Sequence, residues 1–257
     1  MVFARKRFGQ NFLHDPQVIA YIVEAINPQP DQALVEIGPG RGALTEPLLE
    51  RCSALDAIEI DRDLAAELQQ RLAARGLTLH TADALKFDFA ALAASRGRRL
   101  RVIGNLPYNV STPLLFHLLE ARASIIDLHI MLQREVIERI CAAPGSGDYG
   151  RLTVMLAPWV TAEHLFDVGP GAFRPVPQVW SAVARLSMRQ TPAFAVDARY
   201  ARVVSAAFSQ RRKTLRNALR SLLDAEKIAA CGIDPGARPE TLSPAEFAAL
   251  AAAVEDN

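Results

Sequence analysis

The sequence has few of the features that mark secreted, membrane or metal-stabilised proteins. Its 257 residues include only three cysteines, Cys52, Cys141 and Cys231, which are far apart and lack zinc-ligand spacing. They are typical of small core residues in a reducing compartment, and we expect no disulfide framework and no metal site. The first residues, MVFARKRFGQNF, contain no apolar stretch of about 7–15 residues, so we expect no signal peptide. No run approaches about 18 consecutive apolar residues, so we expect a cytoplasmic protein without a membrane span.

A large excess of either charge is also missing. The net charge is +1, so bulk charge neither favours nor excludes a polyanionic partner. The basic residues are nevertheless clustered, in residues 5–7, 96–101 and 211–220. Such clusters are most often solvated surfaces, and any one of them alone is weak evidence for binding a polyanion. Half of the residues are hydrophobic and 22% are charged, which is enough apolar material for a sizeable core.

Buried strands alternate with helical patterns over the first part of the chain. The expected strands are residues 33–38, 54–61, 77–83, 100–105 and 125–133. Asp15 and Pro16 are typical of a helix start, and we expect that helix to run to about Ile26. Strands alternating with helices indicate right-handed crossovers and a parallel sheet covered on both faces. The sequence therefore predicts a Rossmann-like α/β fold.

The pattern changes after Gly145. The Pro-rich segment 169–188 predicts a loop and a final strand, with another strand near residues 164–168. From Asp197 onward only helical patterns occur. We therefore place the domain boundary near Thr191, giving a Rossmann-like domain over residues 1–190 and a small all-helical domain over residues 191–257.

A glycine loop, VEIGPGRGA, lies between the first of these strands and a helix. Gly38 and Gly40 allow a tight turn and close approach of the backbone to a ligand. With Ala43 they fit the dinucleotide fingerprint, which alone is weak evidence. Glu59, at the end of the second strand, is placed to bind a ribose hydroxyl pair. This arrangement suits NAD and S-adenosylmethionine equally, because both contain adenosine.

Two further acids favour S-adenosylmethionine. Glu36 lies just before the glycine loop, where it can meet the ammonium of a methionine moiety, a group that NAD lacks. Asp83 ends the third strand and can accept from an adenine amino group. The alternatives are an outward-pointing strand acid for Glu36 and a helix cap for Asp83. Ile60 and Ala84, which follow Glu59 and Asp83, are included in the expected cofactor site.

The fourth strand ends in the unusual sequence Asn-Leu-Pro-Tyr, residues 105–108. An adenine amine is a poor nucleophile, because its lone pair is delocalised into the ring. Two acceptors on its hydrogens, the Asn105 side-chain oxygen and the Leu106 carbonyl, would free that lone pair. Pro107 restricts the carbonyl, and Tyr108 offers a ring for base stacking. The alternative is a structural turn with a half-buried tyrosine.

A series of motifs resembles the ribosomal small-subunit RNA adenine dimethyltransferases. They occur in unbroken order from about Phe8 to Leu219: FGQNFLHD, EIGPGRGALTEPLL, EID, GNLPYNVSTPLLF, MLQREV, FRPVPQVWSAV and AFSQRRKTLRNAL. The resemblance implies S-adenosylmethionine-dependent N6,N6-dimethylation of two adjacent adenosines in the 3′-terminal hairpin loop of 16S rRNA. The implied partners are 16S rRNA or an immature small ribosomal subunit, and we expect a monomer.

The resemblance also implies site residues. It places cofactor contacts at Asn11, Leu13, Gly38, Glu59, Asp83 and Asn105, and residues 105–108 at the target amine. It puts Phe173 against the flipped base, opposite Tyr108, whereas the residues alone indicate a loop anchor. Gln178 and Trp180 depart from the Lys and Asp that the family usually has there, which puts RNA contacts of this loop in doubt.

The third basic cluster is the expected RNA-binding site. It comprises Arg211, Arg212, Lys213, Arg216 and Arg220. Arg212, Arg216 and Arg220 recur every four residues and are expected to share a helix face. The alternative is an ordinary solvated face.

Two other functions stay open. The related erythromycin-resistance enzymes modify 23S rRNA with a similar Asn-[Leu/Ile]-Pro-[Tyr/Phe] sequence, and some relatives only bind nucleic acid. The segment RRKTLRNAL favours the small-subunit group, and the intact Asn105–Tyr108 set argues against a non-catalytic role.

Overall fold

A computed structural model describes residues 11–107, 110–210 and 212–255. Within these ranges the strands are β1 Phe12–Leu13, β2 Ala33–Ile37, β3 Leu55–Glu59, β4 Leu77–Thr81, β5 Leu100–Asn105, β6 Ile125–Gln133, β7 Val160–Val168, β8 Phe173–Arg174 and β9 Ser181–Met188. The α-helices are α1 Pro16–Ile26, α2 Thr45–Leu49, α3 Arg62–Leu72, α4 Phe89–Arg96, α5 Ser111–Glu120, α6 Arg134–Cys141, α7 Arg151–Leu156, α8 Ala198–Ser209, α9 Leu215–Ala218, α10 Ala225–Ala230 and α11 Pro244–Ala252. None of the helices in this part of the chain is both long and apolar enough to cross a bilayer.

In the described part of the chain, seven strands form the central sheet, in the order β4-β3-β2-β5-β6-β9-β7. The pairs from β4 to β6 are parallel, as predicted. The parallel arrangement predicted for the first five strands ends at β6, because the final strand β9 runs antiparallel to β6. An antiparallel neighbour needs no helical crossover, and β9 is reached through the Pro-rich segment instead. The Rossmann-like α/β fold is confirmed.

The site is positioned by the middle of this sheet. Every residue of β2 and β3 is buried, which matches their apolar sequences and a sheet covered on both faces. From β2 the chain first builds β3 and β4 on one side, then crosses to β5 on the other. The crevice at such a switch point, beyond the carboxyl ends of the strands, is where open α/β sheets bind ligands.

Local sequence explains the first helix. The Asp15 side chain accepts hydrogen bonds from the backbone N–H groups of Gln17 and Val18, at 2.9 and 3.3 Å. Pro16 occupies the first turn, where its missing N–H costs nothing. The predicted start and end of α1 are therefore confirmed.

The basic cluster at residues 96–101 holds the sheet together. Arg96 donates two hydrogen bonds to Asp56, at 2.8 and 2.6 Å. Arg101 on β5 lies opposite Asp127 on β6 and donates to both of its carboxylate oxygens, while only 8% of Arg101 is exposed. Removing one partner of the buried Arg101–Asp127 pair would leave an uncompensated charge, so Arg101 is structural. The Arg96 side chain is 38% exposed, whereas its partner Asp56 is buried.

The chain divides into two compact units. The first contains the described residues up to Ile137 together with Ala162–Met188, and the second contains Glu138–Thr161 together with the described residues from Arg189 onward. The sequence-based division at residue 190 lies close to the break between residues 188 and 189, but it assigned residues 138–161 to the first domain. The segment joins the second unit because Tyr149 donates a hydrogen bond to the Leu242 carbonyl, at 2.7 Å. Tyr200 donates similarly to the carbonyl of Val154, at 2.8 Å.

Candidate active site

A cavity of about 270 Å³ lies at the carboxyl ends of β2, β3, β4 and β5. All ten residues predicted to bind the cofactor line it: Asn11, Leu13, Glu36, Gly38, Gly40, Glu59, Ile60, Asp83, Ala84 and Asn105. Leu106 and Pro107 line the same cavity. The structure thus brings together residues that are up to 96 positions apart in the sequence, from Asn11 to Pro107.

The glycine loop gives the cavity a backbone wall. Gly38 and Gly40 have φ angles of +66° and +58°, which L side chains rarely adopt. A Cβ atom on Gly40 would lie 3.2 Å from the Phe12 ring, closer than most neighbours tolerate. Glycine is therefore required at this position for conformation and for space.

The Glu59 carboxylate is held in place by the backbone. One oxygen accepts from the Asp61 N–H at 2.9 Å, and the other accepts from the Gly40 N–H at 3.2 Å. Burial raises the pKa of Glu59, and these hydrogen bonds act in the opposite direction. Two fixed carboxylate oxygens at the end of β3 suit two neighbouring hydroxyl groups, because ionised carboxylates are pure acceptors.

Glu36 lies beneath the glycine loop and only 2% of it is exposed. The Thr45 hydroxyl donates a hydrogen bond to its carboxyl group at 2.7 Å. Burial raises the pKa of Glu36 to about 7. A bound cation would compensate for that burial and favour the charged form.

We expect Glu36→Gln to stabilise the cofactor-free protein at alkaline pH. The folded state holds a proton on Glu36 that the unfolded chain releases, so the wild-type protein loses stability as pH rises from about 4.5 to about 7. Glutamine resembles the protonated carboxyl and avoids this loss, which is worth at most about 3 kcal/mol at pH 8. Urea unfolding at pH 5 and pH 8 measures it. Glu24→Gln, an exposed change of equal charge, is the control, and equal pH dependence in all three proteins would contradict the account.

Asp83 organises the turn after β4. Its carboxylate accepts from the Leu85 N–H at 3.0 Å. The alternative that Asp83 caps a helix is not what the structure shows, since α4 is capped by Asp88, which accepts from the Ala91 N–H at 2.8 Å. Within the described residues, no three His, Cys, Asp or Glu side chains are grouped to hold a metal ion.

Asn105 ends β5 with its amide oriented by a neighbour. The side-chain NH2 group donates to the Asn11 carbonyl at 3.1 Å, which leaves the side-chain oxygen able to accept from a ligand. The Leu106 N–H donates to the Met131 carbonyl on β6 at 3.1 Å, so the residue after Asn105 is anchored to the sheet. Tyr108, the predicted stacking residue, lies outside the described residues.

Sequence reasoning missed Phe12 and Arg41 as parts of the cavity. The Arg41 guanidinium lies 4.7 Å from the centre of the Phe12 ring, and both residues line the cavity. Phe12 reaches this position because β1 pairs with β8, a contact between distant segments. No local pattern in the sequence indicates that pairing.

Phe173 lies on β8, opposite Leu13 of β1. Its side chain is fully buried in the core and is not among the residues that line the cavity. This position fits an anchoring role for Phe173. Its contact with a flipped base stays a prediction.

The predicted RNA-binding residues lie in the second unit. Arg212, Lys213, Arg216 and Arg220 are exposed, whereas Arg211 lies outside the described residues. The expectation of one shared helix face is wrong, because α9 contains only Leu215–Ala218. Arg212 and Lys213 precede α9 and Arg220 follows it, so the four cations surround a short helix.

Comparisons with known proteins agree on one family. The family described as "Ribosomal RNA adenine dimethylase" matches residues 1–256. A protein from Methylococcus capsulatus named ribosomal RNA small subunit methyltransferase A is 56% identical, over 96% of this chain and 96% of the relative. A protein of the same name from Pseudomonas syringae pv. tomato is 55% identical, over 96% of this chain and 93% of the relative.

Two solved structures show the same fold. The 23S rRNA methyltransferase ErmE has 28% identity and a TM-score of 0.73, covering 95% of this chain and 99% of its own. A dimethyladenosine transferase from Plasmodium falciparum has 22% identity and a TM-score of 0.79, and the match covers 93% of this chain and 95% of that chain. With a family match over nearly the whole chain and relatives above 50% identity, this protein belongs to the ribosomal RNA adenine dimethylase family.

Proposed function

We propose that the protein transfers methyl groups from S-adenosylmethionine to N6 of two adjacent adenosines in the 3′-terminal hairpin loop of 16S rRNA. The observation that carries the proposal is the position of Asn105 and Leu106 at the end of β5, in the same cavity as Glu36, Glu59 and Asp83. The residues proposed to bind the target adenine and those proposed to bind S-adenosylmethionine therefore line one cavity. The substrate would be the RNA or an immature small subunit in the cytoplasm, and the protein would act as a monomer.

The cavity chemistry fits the cofactor group by group. Glu59 would accept from the ribose hydroxyls, Asp83 from the adenine amine, and buried Glu36 would face the ammonium. Ile60 and Ala84 would supply apolar contact for the adenine ring, and Gly38 and Gly40 would let the backbone approach closely. When bound, the cofactor supplies an electrophilic methyl group. NAD has no ammonium to offset the burial of Glu36.

The target amine would be activated by two acceptors. The Asn105 side-chain oxygen and the Leu106 carbonyl would each take one N–H, which draws the nitrogen towards tetrahedral geometry and frees its lone pair. The nitrogen would then form a bond to the methyl carbon while the bond between that carbon and the cofactor's sulfonium sulfur breaks, and the demethylated cofactor is the leaving group. Its proton becomes acidic on alkylation and leaves to water, so no general base is required. Positioning would supply most of the rate enhancement.

The 23S rRNA alternative is not favoured. The named small-subunit relatives are 55–56% identical to this chain, whereas ErmE is 28% identical. A purely nucleic-acid-binding role would not need Glu36, whose buried carboxyl carries an unfavourable charge at neutral pH.

We expect binding of S-adenosylmethionine and its demethylated product, and no binding of NAD. Calorimetry with the three compounds measures this directly. The substrate is tested by incubating the protein and labelled cofactor with immature 30S particles or with 23S RNA. Label in the small-subunit RNA alone is the expected result. Binding of NAD without a response to the methionine cofactor, or label in 23S RNA alone, would overturn the proposal.

A further inference from the structure

The Pro-rich segment between β8 and β9, residues 175–180, presents an exposed aromatic ring. Trp180 is 52% exposed, and Val176 and Val179 on the same segment are also exposed. Contiguous patches of exposed apolar side chains mark interaction sites, whereas single exposed apolar residues do not. The question is which ligand the ring of Trp180 contacts.

The topology places Trp180 at the same edge of the sheet as the adenine-reading residues. Ser181, the next residue, lies opposite Gln133 at the carboxyl end of β6. The Trp180 carbonyl accepts from the Arg134 N–H at 2.9 Å. Asn105 lies opposite Met131 on β6. Because neighbouring strands are about 4.8 Å apart, Ser181 on β9 is roughly 10 Å from β5.

The ring of Trp180 is held against the protein on one side. Two of its carbon atoms lie 3.7 and 3.8 Å from the position that a Cβ atom would take on Gly169, so the indole covers a residue without a side chain. The backbone is fixed by the Arg134 hydrogen bond, and Pro175 and Pro177 restrict the preceding segment. A fixed aromatic side chain loses little entropy when a second ring stacks on it.

Two arginines flank the exposed ring. Arg134 follows directly after β6, where it forms an ion pair with Asp167 at 3.4 Å and keeps 47% of its side chain exposed. Arg174, at the other end of the Pro-rich segment, is exposed as well. Cationic side chains next to an exposed aromatic ring are the combination that binds single-stranded nucleic acid.

We propose that Trp180 stacks on a base next to the target adenosine pair and positions the RNA loop for methyl transfer. The inference rests on the proposed function, because it takes the adenine site at Asn105 as its reference point. The ligand is a nucleobase in a splayed-out loop. Such a loop exposes its neighbouring bases at low cost.

The test uses the full chain and a 16S-type hairpin RNA containing the two adenosines. Trp180→Ala should weaken RNA binding and raise the KM for RNA about 5- to 150-fold, the range for loss of one stacked base. Trp180→Phe should restore most of the affinity, because phenylalanine keeps an aromatic ring at this position. Two further RNAs each carry one abasic nucleotide, on the 5′ side of the adenosine pair in the first and on the 3′ side in the second. The RNA that lacks the stacked base should bind the wild-type and Trp180→Ala proteins equally.

Fluorescence provides an independent readout. The chain has two tryptophans, so Trp180→Phe leaves Trp159 as the sole emitter. Hairpin RNA should quench the wild-type protein and leave Trp180→Phe unquenched. Unchanged RNA affinity of the Trp180→Ala protein would overturn the inference. A loss of affinity seen only with immature particles would overturn it as well, because Trp180 would then contact a protein. Absence of methyl transfer by the wild-type protein would instead contradict the proposed function, while quenching and affinity still decide the role of Trp180.

Discussion

Asn105→Ala should reduce methyl transfer by about 10²-fold or more without unfolding the protein. The side-chain oxygen of Asn105 is one of the two acceptors proposed for the adenine amine. Its loss is comparable to removing one hydrogen bond that forms at the reacting group in the transition state. Single-turnover rates with hairpin RNA and labelled cofactor measure the effect.

Two further variants separate chemistry from structure. Asn105→Asp keeps an acceptor but loses the donor to the Asn11 carbonyl, so its rate should lie between those of wild type and Asn105→Ala. Gln70→Ala removes an exposed amide side chain of α3, away from the proposed binding sites, and should behave as wild type. Cofactor affinity must be measured alongside, because Asn105 lines the cavity proposed to bind the cofactor. Near-normal turnover of Asn105→Ala would show that the amine is activated in another way.

Charge reversal at Arg212 and Arg216 should weaken RNA binding and flatten its dependence on salt. Each lost phosphate contact makes the slope of log K against log salt less steep by roughly 0.7 to 0.9. For two contacts this amounts to a roughly 25- to 60-fold loss of RNA affinity at about 0.1 M salt. The double variant Arg212→Glu with Arg216→Glu tests this by RNA titration at several salt concentrations. Cofactor affinity should not change.

A matched control carries the same change of net charge. Arg151 and Arg202 are also exposed arginines of the second unit, and their reversal to Glu should leave the salt slope near that of wild type. If both double variants behave as wild type and remain folded, the cations around α9 form an ordinary solvated surface. The RNA-binding site would then have to lie elsewhere on the protein.

The sequence was sufficient where local pattern determines structure. The strands at residues 100–105 and 125–133 were predicted with their observed bounds, because continuous apolar runs are buried on both faces of the sheet. The convergence of Glu36, Glu59 and Asp83 on one cavity was predictable, because parallel strands bring their carboxyl ends to one edge of the sheet.

Prediction failed where contacts between segments far apart in the sequence determine the structure. The α9 region reads as a longer helix, but the N–H groups of Leu215 and Arg216 donate to the carbonyls of Ala237 and Pro235, and the helix ends at Ala218. The pairing of Arg101 with Asp127 and the contact of Phe12 with the glycine loop likewise join segments that are remote in the chain. Periodicity carries no information about such partners.

The central claim is dimethylation of two adjacent adenosines, and mass spectrometry of nuclease fragments from small-subunit RNA tests it most directly. RNA lacking these modifications is incubated with the protein and S-adenosylmethionine, and Asn105→Ala serves as the negative control. The account predicts N6,N6-dimethyladenosine at two neighbouring positions of the 3′-terminal hairpin loop, lost or strongly reduced with the variant. Unmodified small-subunit RNA after reaction with active, cofactor-binding protein, or methylation confined to other positions, would contradict it.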